Sequence, residues 1–155
     1  MSYENHQLQH WLNELGTEFD TQFTLTNEGS CMLQAGKKTS FALFADELNE
    51  GYSISCHLLD LPDQEREQLL SHALSLNMYQ LETKGAAIAL DETVGALFLC
   101  FTETFDKREY QDFKNILDNF IDKAEQLKKE LKSNVNKAVG NIEDDGNAML
   151  GMLRL

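Results

Sequence analysis

Gly51-Tyr52-Ser53-Ile54-Ser55-Cys56-His57-Leu58-Leu59 is the stretch on which the fold turns. Tyr52, Ile54, Cys56 and Leu58 alternate with Ser53, Ser55, His57 and Leu59. A period of two puts the first set on one face of a strand and a mostly polar set on the other. Working back toward the N-terminus, Asn49-Glu50-Gly51 is a turn signal, and residues 40–45 form a second strand behind Gly36-Lys37-Lys38. Residues 31–35 form a third, behind Asn27-Glu28-Gly29-Ser30. Strands so closely spaced and joined by short turns predict an antiparallel meander.

Helical patterns flank the meander. Leu8, Trp11, Leu12 and Leu15 follow the i, i+3, i+4, i+7 spacing of an amphipathic helix over residues 3–15, with Gly16 as its C-cap. Phe19, Phe23 and Leu25 lie on an extended lead-in to the strands. On the other side, Pro62 suits a first helical turn, and Leu69, Leu70, Ala73, Leu74 and Asn77 share one face of a helix over 62–77. Two further strands follow at 86–91 and 96–103, joined by Glu92-Thr93-Val94-Gly95. Asp106-Lys107-Arg108-Glu109 resembles a capping box. Behind it Tyr110, Phe113, Leu117, Phe120, Ala124, Leu127 and Leu131 recur three and four apart, the stripe of a third helix. Gly140, Gly146 and Gly151 are expected to break the pattern. The reading is therefore one domain over 1–132 and a flexible C-terminal tail over 133–155. The order α-β-β-β-α-β-β-α belongs to an α+β fold, an antiparallel twisted sheet packed with helices.

A chain of 155 residues suits one domain with a real core. Its charge is lopsided. Residues 1–105 carry 4 basic and 16 acidic side chains, whereas residues 106–132 carry 7 of each, within a net charge of −13. Such a body repels phosphate backbones and anionic membranes, so neither nucleic acid nor membrane is an expected partner. No secretory signal is read at the N-terminus, and no apolar run approaches the roughly 20 residues of a membrane span. Cys31, Cys56 and Cys100 are odd in number and widely spaced. They read as reduced thiols, which suits a cytoplasmic protein.

Chemistry is hard to find in this chain. It has no glycine-rich phosphate loop, no GxSxG, no HExxH and no paired-cysteine metal motif. His6 and His10 stand four apart without a third ligand, and read as solvated surface residues. Cys56 and His57 are strand neighbours that point to opposite faces, so they do not form a nucleophile–base pair; Cys56 reads as core. Asp60, Asp63, Glu65 and Glu67 do not match a calcium loop and read as a solvated helix start. More informative is a surplus of apolar faces. Phe41, Leu43 and Ala45 oppose Ala42 and Phe44, while Leu97, Leu99 and Phe101 oppose Phe98 and Cys100. Either helices cover both sheet faces, or one face is completed by a partner or a second subunit.

From about Leu8 to Leu131 the chain resembles the class I chaperones of bacterial type III secretion, the Tir-chaperone (CesT-like) family. The resemblance rests on pieces in order: Leu15-Gly16, then Cys31-Met32-Leu33-Gln34, then the long strand over 51–59 entering Leu61-Pro62. Leu69-Leu70-Ser71-His72-Ala73-Leu74-Ser75-Leu76-Asn77 and Gly85-Ala86-Ala87-Ile88-Ala89-Leu90-Asp91 follow, before the 97–101 strand and the last helix. It implies a cytoplasmic homodimer without catalytic residues, metal or cofactor. Such a protein binds the N-terminal region of one or more secreted effectors, keeps it non-globular and helps deliver it to the export apparatus, whose ATPase is a further candidate partner. The implied effector surface is the first helix and the strands, here Leu8, Trp11, Leu12, Leu15, Leu33, Phe41, Leu43 and Phe44. The implied dimer interface is the second helix and fourth strand, here Leu69, Leu70, Ala73, Leu74, Ile88 and Leu90. An adaptor module and a small-ligand pocket protein are the alternatives.

Overall fold

The computed structural model describes residues 2–78 and 83–152, with side chains of the last helix described as far as residue 136. Among the described residues three helices, α1 (Gln7–Glu18), α2 (Arg66–Leu76) and α3 (Tyr110–Met152), accompany five strands. These are β1 (Ser30–Ala35), β2 (Thr39–Asp46), β3 (Gly51–Asp60), β4 (Ala87–Asp91) and β5 (Ala96–Thr104). The element order is the expected one. All pairings are antiparallel, in the order β1-β2-β3-β5-β4, so β1 and β4 are the sheet edges.

Alternation along the strands decides where the core sits. Tyr52, Ile54, Cys56 and Leu58 are buried, as are Phe41 and Leu43 beside them on β2 and Leu97 and Leu99 on β5. They join one cluster with Leu8, Trp11 and Leu12 of α1, Leu69 and Ala73 of α2, and Phe113, Leu117, Phe120, Leu127 and Leu131 of α3. Each such side chain taken from water contributes roughly 1.5–3 kcal/mol. All three helices thus lie on one sheet face. The other face carries Met32, Phe44, Ser53, Ser55 and His57 and has no helix on it among the described residues. Of the two readings of the apolar surplus, the monomer covers one face only.

Several boundaries differ from the sequence reading, each for a local reason. Gly16 does not end α1, which runs on to a cap at Phe19. A Cβ on Gly16 would stand 2.6 Å from the carbonyl oxygen of Thr21, so the glycine serves the close return of the chain beneath the helix. α2 begins at Arg66 rather than at Pro62, because Glu65 is left-handed (φ 59°) and helical geometry cannot propagate through it. α3 begins after Glu109, whose backbone N–H donates to Asp112 Oδ2 at 2.9 Å, half of a capping box placed three residues later than expected. Gly140, Gly146 and Gly151 fall within α3 instead of breaking it. Glycine costs a helix about 1 kcal/mol relative to alanine but keeps its N–H donor, so it weakens a helix without ending it. Val135 still packs on the core, beyond Lys132. In β3 the register against β5 shifts between His57 and Leu59. That irregularity turns Leu59, expected on the polar face, toward the core cluster.

Candidate functional site: an apolar groove between α1, β1 and α3

A large concavity follows from two features of the sequence. After a turn at Phe19 and Asp20 the chain runs on from α1 as an extended segment, and among the described residues β1 has no strand on its outer side. Between them and α3 lies a groove of about 840 Å³. Its floor is Leu15, Leu33, Phe41 and Leu117, all buried. Phe19 and Met32, whose relative exposures are 64% and 69%, border it, Met32 from the open edge strand β1 and on the sheet's helix-free side. Phe23, Ala35 and Ile121 add to the apolar lining, and Lys114, Asp118 and Asp122 form a polar rim on α3.

Two polar devices hold this shape. Gln9 is a buried polar residue on the inner face of α1. Its Nε2 donates to the Phe23 carbonyl (2.9 Å) and to Asn13 Oδ1 (2.8 Å), and its Oε1 accepts from the Leu25 N–H (2.8 Å). The extended segment is thereby fixed to the helix in place of a strand neighbour. At the far end of α1, Glu18 accepts from the Tyr110 hydroxyl at 2.8 Å and pairs with Lys114. The Lys114 ammonium, helped by Tyr110, holds the Glu18 carboxyl below its ordinary value. Burial, then the neighbouring Glu18, pushes the Tyr110 phenol up. The clamp keeps α1 and α3 at a fixed separation along the groove.

The groove's lining contains neither histidine nor cysteine. What it does chemically is take apolar side chains out of water, with the backbone of an edge strand alongside. The thiols are elsewhere: burial raises the pKa of Cys31 and Cys56, which disfavours the reactive thiolate. His6 caps α1, its Nδ1 accepting from the Leu8 N–H at 3.2 Å, and its ring packs edge-on against Tyr3 and Phe105. Burial lowers its pKa, in keeping with a neutral acceptor.

The residues expected to form the effector surface divide three ways. Leu15, Leu33 and Phe41 are brought together in the groove. Leu8, Trp11, Leu12 and Leu43 lie in the core and do not line the groove. They are 0–4% exposed, because the stripe that looks like a binding face is the face by which α1 packs on the sheet. Phe44 is 42% exposed but lies on the opposite, helix-free side of the sheet. Phe19, Phe23, Met32 and Ile121 are groove residues that the sequence reading did not assign to the site. Phe19 and Phe23 carried a signal, two aromatics four apart beyond the end of an already complete helical stripe.

Of the residues expected at a dimer interface, Leu69, Ala73 and Ile88 are buried within the monomer, where α2 packs against β4 and α3. Leu70 is half-buried, while Leu74 (67%) and Leu90 (39%) are exposed. Asn77 joins the two elements, donating to the Ile88 carbonyl (3.0 Å) and accepting from the Ile88 N–H (2.8 Å).

A family model described as the Tir chaperone protein (CesT) family matches residues 10–128. No curated protein sequence matches. Among solved structures, a chain of the HopA1–SchA chaperone–effector complex aligns with a TM-score of 0.66 at 17% identity, covering 83% of this chain and 98% of that one. A chain of the ExsC–ExsE complex aligns with a TM-score of 0.67 at 18% identity, covering 84% and 97%. A chain of the heterodimeric ExoU–SpcU complex, from the type III secretion system of Pseudomonas aeruginosa, aligns at 0.61 and 15% identity, covering 79% and 96%. At such identities the likeness shows a shared fold.

Proposed function

This chain belongs to the Tir chaperone protein (CesT) family, and we propose that it is a cytoplasmic type III secretion chaperone that holds the N-terminal region of one or more secreted effectors in the groove between α1, β1 and α3. The observation that carries the location is Phe19, a large apolar side chain about two-thirds exposed beside a buried apolar floor, with Met32, equally exposed, on the open edge strand β1 that borders the groove. A monomer gains nothing from that arrangement, and an incoming Leu or Phe would contribute roughly 1.5–3 kcal/mol on filling it. Because β1 is a sheet edge, an extended client segment also finds unpaired backbone groups beside the groove. Several apolar contacts and a few main-chain hydrogen bonds together offset the cost of ordering such a segment.

Catalysis has no part in this reading. The protein acts by keeping the bound segment non-globular and handing it to the export apparatus. The client's complex forms on a homodimer joined through α2 and β4, where Leu74 and Leu90 are the exposed apolar residues. The chaperone domain spans 1–132, and 133–155 is an appendage to it. Among the described residues no helix is long and apolar enough to cross a membrane.

Affinity purification from the native host, followed by mass spectrometry, tests the proposal. The expected result is one or a few secreted proteins, each retained through its N-terminal segment alone. Retention of a small molecule with no polypeptide would point instead to a pocket protein.

A further inference from the structure

α3 places Lys114, Asp118 and Asp122, charges of both signs, on the rim of the apolar groove. Two turns on, Lys128, Lys129 and Lys132 line a second groove of about 680 Å³, between α3 and the facing ends of β2 and β3, where Lys38 joins them. Four of the chain's 13 basic side chains thus converge on one concavity of a molecule whose net charge is −13. Two carboxylates share that groove, which leaves it an excess of two positive charges. Asp60 Oδ1 pairs with His57 Nε2 at 2.7 Å, and Glu125 Oε1 accepts from the Thr39 hydroxyl at 3.1 Å. None of the four ammonium groups has a salt bridge among the described residues.

Unpaired like charges held at one site repel one another, and they are relieved by an anion that spans them. We infer that this groove is a docking site for an acidic polypeptide segment of a partner protein, separate from the apolar groove. The inference rests on charge and geometry and stands whether or not the apolar groove holds a client. A short run of carboxylates fits the observations better than a nucleic acid or a membrane. At physiological ionic strength charges are screened beyond about 8 Å, so a segment confined to the groove feels chiefly its lysines. A polyphosphate backbone or an anionic bilayer extends past the groove onto the acidic body and is repelled.

The test is fluorescence anisotropy of a labelled octaglutamate peptide with the full chain at 50 and 150 mM salt. Binding that weakens as salt rises is expected. The triple variant Lys128→Glu/Lys129→Glu/Lys132→Glu should lose at least about tenfold in affinity, the order given by three surface ion pairs. A charge-matched control, Lys84→Glu/Lys107→Glu/Lys123→Glu, should lose less than about twofold, with both folds checked by circular dichroism. No binding by the wild-type chain, or equal loss in the two variants, would overturn the site. Tighter binding to an eight-nucleotide single strand or to phosphatidylserine vesicles would overturn the choice of a polypeptide. If the triple variant does not fold, Lys129→Gln/Lys132→Gln replaces it, and undiminished binding by that pair would overturn the proposal in the same way.

Discussion

Tyr52 places a hydroxyl in the core without a partner among the described residues. It sits among aromatic rings, stacked on Phe105 (centroids 5.8 Å apart) and edge-on to Trp11 and Phe113 (6.1 and 5.4 Å). Burial is the main reason its pKa is pushed up. A buried hydroxyl that makes no hydrogen bond costs its desolvation and returns nothing, whereas the ring contributes packing. Tyr52→Phe should therefore leave stability unchanged or raise it by up to about 1 kcal/mol, measured by urea unfolding. A loss of more than about 1 kcal/mol would show that the hydroxyl is satisfied. The ring's place was legible, since Tyr52 opens the alternation that defines β3. The hydroxyl's isolation was not, because it depends on which residues surround the ring from three different elements. Trp11 is the parallel case: its spacing put it on an apolar face, but only the stacking against Phe113 (5.2 Å) decides that the face is core.

At the scale of elements, strands were easier to read than helix ends. Period-two alternation, turn glycines and β-branched or aromatic residues agreed along β2, β3 and β5, and the observed strands lie within a residue of the expected bounds. Helix ends depend on long-range contacts. Gly16 resembled a cap, yet it is the point at which the segment after α1 passes close beneath the helix. The groove was half legible for the same reason. Leu15, Leu33 and Phe41 could be named from pattern, while Phe19, Phe23 and Met32 become a site only once that segment is placed. Gln9 is what places it. A lone glutamine on an apolar helical face carries no periodic signal, yet it ties residues 23 and 25 to α1. Gln9→Leu should lower stability by about 2–4 kcal/mol in urea unfolding, since it strands the Phe23 carbonyl and the Leu25 N–H. Faster amide exchange at Leu25 should accompany the loss. A variant as stable as wild type with Leu25 still protected would show that the segment is held by packing alone.

Over the whole molecule, one sheet face carries the core, and binding is left to what the helices do not cover. The dimer is the assembly-level expectation. Leu74, exposed on α2, has no role in the monomer core, so Leu74→Asp should leave the melting temperature of the fold intact while converting a dimer to a 17.6 kDa monomer in light scattering. A wild-type chain that is already monomeric at micromolar concentration would remove α2 and β4 from the interface. The central claim is that the groove between α1, β1 and α3 holds the client. Its most direct test is isothermal titration of the captured client's N-terminal segment into the wild-type chain and into Phe19→Asp/Met32→Asp. Both substitutions lie at exposed positions, so the variant should fold. Losing two apolar contacts of at least about 1.5 kcal/mol each predicts a drop in affinity of about a hundredfold or more. A folded variant that binds the segment as tightly as the wild-type chain would contradict the account.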